Sequence, residues 1–174
     1  LEEAEKQGIT KWVEPFVGGA NMIDKVPNTF ERVGCDYNNY LMEMFKELQK
    51  GWIPDYFTKE DYTYIRENKD ISPHVTGWLG FNCSYSGKWF GGYAGKVETK
   101  QGLRDYQDEA KRNTLKQMEN LVGVDFKTCS YEDLDLVNCL IYCDPPYAKT
   151  TEYKDKGFNH EQFYDWCREQ AKRN

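Results

Sequence analysis

The apolar run Cys139-Leu140-Ile141-Tyr142-Cys143 ends on Asp144-Pro145-Pro146-Tyr147, and no other stretch limits the fold of this chain so sharply. Two consecutive prolines fix φ and remove two N–H donors, so the run reads as a strand that stops at Asp144. The stop leaves an acid and an aromatic on a stiff corner at a strand's carboxyl end. Such a corner suits a flat, amino-bearing group such as a nucleobase. The exocyclic amino nitrogen of adenine has its lone pair delocalised into the ring, and it attacks an electrophile poorly unless acceptors draw on its hydrogens. Asp144 supplies one acceptor and the Pro145 carbonyl a second. Tyr147 can stack on the base, an interaction worth about 1–3 kcal/mol per base. Taken alone, an Asp-Pro-Pro stretch is more often a strand-ending turn.

A second constellation runs from Trp12 to Met22. The short apolar segment Trp12-Val13-Glu14-Pro15-Phe16-Val17 leads into Gly18-Gly19 and then, through Ala20, into an expected helix start. This is the strand-loop-helix layout of a nucleotide-type cofactor pocket, although the full GxGxxG pattern is absent. Val33-Gly34-Cys35-Asp36 reads as a second strand ending in an acid. Its position is about the 20 residues downstream expected of a carboxylate that holds ribose hydroxyls. By itself, Asp36 reads as a cap for the helix beginning near Asn38.

In this order, the glycine loop, the strand-end acid and the Asp-Pro-Pro-Tyr corner resemble the DNA N6-adenine methyltransferases, especially the bacterial and phage adenine methylases that recognise short sites. The stretches that carry the likeness are Val13 to Gly19, Asp36-Tyr37-Asn38, and Tyr142 to Tyr147 with Gly157-Phe158-Asn159-His160. The resemblance implies a Rossmann-like α/β core that uses S-adenosylmethionine as methyl donor, no metal, and adenine in double-stranded DNA as acceptor. It places Glu14, Pro15, Phe16, Gly18, Gly19, Asp36, Tyr131 and Asp144 at the donor, and Asp144, Pro145, Pro146 and Tyr147 at the reacting base. Family members often carry a third glycine at the position of Ala20. They also begin with an aromatic-Gly-Gly-Lys segment and continue through further strands, so the chain reads as part of a longer protein.

Bulk properties fit a cytoplasmic enzyme core. The 174 residues allow one domain with a sizeable core, or a core with a small subdomain. A mean hydropathy of -0.86 and the lack of any long apolar run exclude a membrane-spanning helix. Six cysteines without a Cys-x-x-Cys pair, three of them (Cys35, Cys139 and Cys143) in strand-like runs, read as reduced thiols. The net charge of -6 is unexpected for a DNA partner. From Ser86 to Met118, however, seven basic residues face four acidic ones. The segment Phe81 to Ala94 interleaves aromatics with glycines and Lys88, a pattern that suits contact with nucleic acid. Aromatics packed within their own domain are the competing reading. Tyr85, Lys88, Trp89, Lys96 and Arg104 are the candidate DNA contacts. The resembling enzymes carry an inserted recognition region at this place, so residues 1–50 with 119–174 are expected to form the catalytic core and 51–118 the recognition region.

Periodicity completes the outline. Leu41, Met44, Phe45 and Leu48 form a helical stripe expected to pack on the sheet, ended by Gly51, Trp52 and Pro54. Asp55 to Lys69 reads as helical, Asp70 to Gly80 as loop, and Leu103 to Leu121 as a helix. Ser130 is a candidate cap with Asp133 three residues on, and Asn159 caps a helix through Phe163, Trp166 and Cys167. That last stripe is expected to stay uncovered here and to offer an apolar edge for self-association. The alternatives to a DNA adenine methyltransferase are a methyltransferase of the same fold acting on RNA or protein, a remnant that binds donor or DNA without turnover, and a dinucleotide-dependent oxidoreductase.

Overall fold

The computed structural model describes residues 1–100, 102–146 and 158–174. Its helices are α1 (Glu2–Lys6), α2 (Asn39–Gln49), α3 (Lys59–Glu67), α4 (Pro73–Phe81), α5 (Tyr106–Leu121) and α6 (His160–Gln170). Its strands are β1 (Lys11–Glu14), β2 (Glu31–Asp36), β3 (Lys96–Thr99), β4 (Gly102–Asp105), β5 (Asp125–Thr128) and β6 (Leu140–Ile141). The chain forms two compact units, residues 1–37 with 123–174 and residues 38–122.

The first unit is built on a sheet of order β5-β2-β1-β6, parallel throughout. Parallel pairing sends all four carboxyl ends to one edge. The strand order turns back between β1 and β6, the kind of position where open α/β sheets hold ligands. Side chains alternate between the two faces along each strand. One face carries Val13, Val33, Cys35 and Cys139, which pack with Leu136 and are covered by Leu134, Ile141 and Trp166. The other carries Trp12 and Glu14 beside Arg32 and Gly34. Gly34 fits closely there: a Cβ would lie 3.0 Å from Val17 and 3.2 Å from the Phe126 ring, and both side chains would have to shift.

Two expectations for this unit are corrected. No α-helix follows the glycines: Ile23–Lys25 make a single 3-10 turn. Gly18 and Ala20 both take positive φ, +47° and +57°, and Pro27 closes the segment, which leaves too little chain for an α-helix. The stripe of α6 is covered, not exposed. Asn159 caps the helix by accepting from the Gln162 N–H at 3.1 Å, and Phe163 is 4 % exposed beneath Phe16, Tyr131 and Phe158.

In the second unit, Asn38 caps α2 by accepting from the Leu41 N–H at 3.1 Å. The buried stripe Leu41, Met44, Phe45 and Leu48, expected to pack on the sheet, packs within this unit against α4. Residues 73–81 therefore form a helix where the sequence reads as loop. Pro73 occupies the first turn, where its missing N–H has no intrahelical partner to lose. The glycines serve packing: a Cβ on Gly77 would stand 2.2 Å from the Tyr40 carbonyl oxygen, and one on Gly80 would stand 2.2 Å from the Trp89 ring. Helix α5 starts at Tyr106 and not at Leu103, because Gly102–Asp105 pair antiparallel with β3. Asp105 then caps the helix, accepting from the Gln107 and Asp108 N–H groups at 3.2 and 3.1 Å.

Candidate functional site

The parallel sheet gathers Glu14, the Gly18-Gly19 loop, Asp36, Tyr131 and Asp144 at its carboxyl edge, since each lies at or just beyond a strand end. The loop and the acid are joined directly. The Gly18 N–H donates to Asp36 Oδ2 at 3.2 Å, and the Val17 N–H donates to the Cys35 carbonyl at 2.8 Å. Asp36 is thus not the cap of α2, a role that Asn38 fills. Its own carbonyl accepts from the Cys129 N–H at 3.1 Å and ties the start of the Ser130 turn to the same edge. Ser130 caps that turn with Asp133, as its spacing implies.

Phe16 leaves β1 into an aromatic cluster. Its ring centroid lies 5.4 Å from Tyr131, 5.8 Å from Phe158 and 5.5 Å from Phe163. Tyr131 is 7 % exposed and also contacts Trp166, so it serves as a wall of the edge. Pro15 is fully buried and holds the turn between strand and loop.

Glu14 is the unusual group. It is 2 % exposed, with the Trp12 indole N–H donating to Oε1 at 2.8 Å. Burial raises its carboxyl most, the Trp12 hydrogen bond opposes the rise, and the carboxylates of Asp24 and Asp144 add to it, to about 7. The Trp12 ring stacks on Tyr142 at 5.9 Å, and the Tyr142 N–H donates to the Val13 carbonyl at 3.0 Å, which extends the β6 pairing toward the proline corner. Asp144 is exposed, with Pro145 and Pro146 half-buried behind it. Tyr147 lies outside the described residues, as does Gly157. Sequence reasoning missed Asp24 and the stacked pair Trp12 and Tyr142. The period-2 spacing of Trp12 and Glu14 was the available signal for the pair, and Asp24 had none.

Cysteines supply no nucleophile at this edge. All six are free, and burial pushes the Cys143 thiol, which faces Cys167, up to about 12.

In the second unit the candidate DNA contacts divide. Tyr85 is 46 % exposed, and Lys88 is exposed beside it. Lys96 on β3 lies 5.3 Å over the Tyr56 ring and pairs with Asp105 at 3.6 Å. Arg104 on β4 donates to both Glu109 oxygens and covers Tyr106 at 4.5 Å. Trp89 is half-buried, packed on Tyr40, Phe81 and Phe90. The hairpin also exposes Leu103, which sequence analysis placed inside a helix.

A parallel α/β sheet with a glycine loop bound to a strand-end acid, and an Asp-Pro-Pro corner two strands away, defines a Rossmann-like methyltransferase fold. The family model of the D12 class N6 adenine-specific DNA methyltransferases matches residues 1–171, and the chain belongs to that family. No curated protein matches it in a sequence comparison. Among the described residues, no helix is long and apolar enough to cross a membrane.

Proposed function

We propose that the chain transfers the methyl group of S-adenosylmethionine to N6 of an adenine flipped out of double-stranded DNA. The observation that carries this reading is the Gly18 to Asp36 hydrogen bond at the same sheet edge as Asp144. It supports a donor seat and a base grip facing one reaction space. The donor supplies an electrophilic methyl on a positively charged sulfur.

The protein's part is alignment and polarisation. Asp36 holds ribose hydroxyls, and the Gly18-Gly19 loop admits the donor close to backbone. The Phe16 and Tyr131 rings wall the donor's adenosine. Asp144 and the Pro145 carbonyl accept from the target amino group, which concentrates its lone pair toward the methyl carbon. The C–N bond forms as the C–S bond breaks, S-adenosylhomocysteine leaves as the neutral thioether, and the amino group gives up one proton to water at the exposed Asp144. Tyr147 stacks on the flipped base. On this reading, residues 38–122 supply the DNA-facing surface. Tyr85, Lys88, Lys96 and Arg104 meet the duplex, with the exposed Leu103 of the same hairpin as Arg104 and the half-buried Trp89 beside Phe90.

Labelled S-adenosylmethionine and an adenine-containing duplex test the reading. The protein should label the DNA, and Asp144→Ala should lose at least about a thousandfold in rate while its circular dichroism is unchanged. Undiminished labelling by Asp144→Ala would remove the acid from the mechanism. Donor binding without transfer would mark a binding remnant, and transfer only to RNA or protein would mark a different acceptor.

A further inference from the structure

Tyr62 on α3 is 2 % exposed, and its hydroxyl is engaged with a single loop. The Gly92 N–H donates to the tyrosine oxygen at 3.1 Å, and that oxygen lies 2.9 Å from Ser84 Oγ. Ser84 gives its one hydroxyl proton to the Leu79 carbonyl at 2.9 Å, so toward Tyr62 it must accept. The direction of the chain is thereby fixed, from the Gly92 N–H to Tyr62, from Tyr62 to Ser84, and from Ser84 to Leu79. One buried oxygen grips both ends of residues 84–92.

The backbone closes the same loop. The Tyr85 N–H donates to the Gly92 carbonyl at 3.0 Å and the Ala94 N–H to the Cys83 carbonyl at 2.8 Å, while Ser84 bridges Tyr93 in antiparallel fashion. Next to this bridge, the Tyr93 hydroxyl donates to the Phe57 carbonyl at 2.8 Å and accepts from the buried Gln107 amide at 3.0 Å. Inside the loop, Ser86 and Phe90 take φ of +58° and +46°. Left-handed backbone is costly for residues other than glycine, above all for a bulky one, and it persists only where the surroundings hold it. Phe90 is held by its N–H on the Gly80 carbonyl at 2.8 Å and by its ring on the Tyr62 ring at 5.3 Å. Tyr62 therefore supports the strained residue with its ring and the loop ends with its hydroxyl. Tyr85 and Lys88 are exposed on this frame.

We propose that Tyr62 is a positioning residue for DNA recognition, holding residues 84–92 in their binding conformation before the duplex arrives. It governs how tightly DNA is bound and which sites are chosen, and leaves the rate of methyl transfer alone. The inference rests on the reading of Tyr85 and Lys88 as DNA contacts. A loop ordered in advance loses little conformational entropy on binding, and its side chains fit one arrangement of bases and phosphates. Released at its ends, the same loop would adapt to poorer sites and would have to be ordered at every encounter.

Tyr62→Phe keeps the ring and removes one oxygen. In steady-state methyl transfer, its KM for an adenine-containing duplex should rise about tenfold while kcat stays within about twofold of wild type. S-adenosylhomocysteine affinity should be unchanged. Methylated positions mapped along a long DNA of mixed sequence should show the preference for the best site over its single-base neighbours reduced by a similar factor. Ser84→Ala breaks the same chain from the other side and should move KM and preference in the same direction. A loss confined to kcat, or an unaltered KM and site preference in folded Tyr62→Phe, would overturn the role and leave the methyltransferase reading standing. In the wild-type chain without DNA, the Phe90 and Gly92 amides should be as protected from hydrogen exchange as those of α4. Exchange at the rate of an open loop would overturn the ordered frame whatever the variants do. Failure of the wild-type chain to bind DNA would overturn the DNA reading and this inference together.

Discussion

Replacing Glu14 by glutamine should stabilise the empty protein, and the gain should depend on pH. The folded structure raises this carboxyl from an ordinary 4.5 to about 7, mainly by burial. Between those values the folded chain holds a proton that the unfolded chain has released. Wild-type stability therefore falls as pH rises through that window and is flat above it. Above pH 7 the accumulated cost is about 3 kcal/mol. Glutamine preserves the acceptor for the Trp12 N–H and carries no charge, so at pH 8 it should recover most of that cost. For a chain of this size, about 3 kcal/mol corresponds to roughly 6–12 °C in Tm. Near pH 4.5, where Glu14 is protonated in the folded chain and about half protonated in the unfolded one, the gain should shrink below about 1 kcal/mol. Calorimetric melting of both proteins at the two pH values measures the difference. A gain of equal size at pH 4.5 and pH 8, or a loss at pH 8, would refute the assignment of a buried, uncompensated charge.

Gly77→Ala tests the contact of α2 with α4. Alanine in a helix interior normally gains up to about 1 kcal/mol over glycine, but here its Cβ would stand 2.2 Å from the Tyr40 carbonyl oxygen. The clash is with backbone, so urea unfolding should show a net loss of about 1–2 kcal/mol, and a stabilised variant would contradict this packing. Asp36→Ala releases the Gly18 N–H and, on the proposed reading, the ribose hydroxyls. S-adenosylhomocysteine affinity should fall about 10–100-fold by titration calorimetry, with Asp36→Asn losing less, and unchanged binding would place the donor elsewhere.

Much of this protein follows from local chemistry. The proline corner stops the strand that begins at Leu140, Asp36 ends another, and Ser130 and Asn159 start their turn and helix because a side-chain oxygen can accept a free N–H at a fixed spacing. Those signals sufficed to recognise the fold and most of the candidate site. They misread residues 73–81, because proline and glycine break helices only where they are not needed. At the first turn the proline costs nothing, and at Gly77 and Gly80 the missing side chains admit Tyr40 and Trp89. Trp89 packs on Tyr40, Phe81 and Phe90 while staying half-buried, a placement that a glycine-rich aromatic stretch does not reveal.

Glu14 marks the boundary between the two kinds of information. Its place at a strand end beside the glycine loop is written in consecutive residues. Its ionisation is not, because it depends first on burial and then on Asp24 from a short turn and Asp144 from beyond a distant strand. Only folding removes water from Glu14 and Asp24, and charge interactions with a buried carboxyl are strong only where water has been excluded.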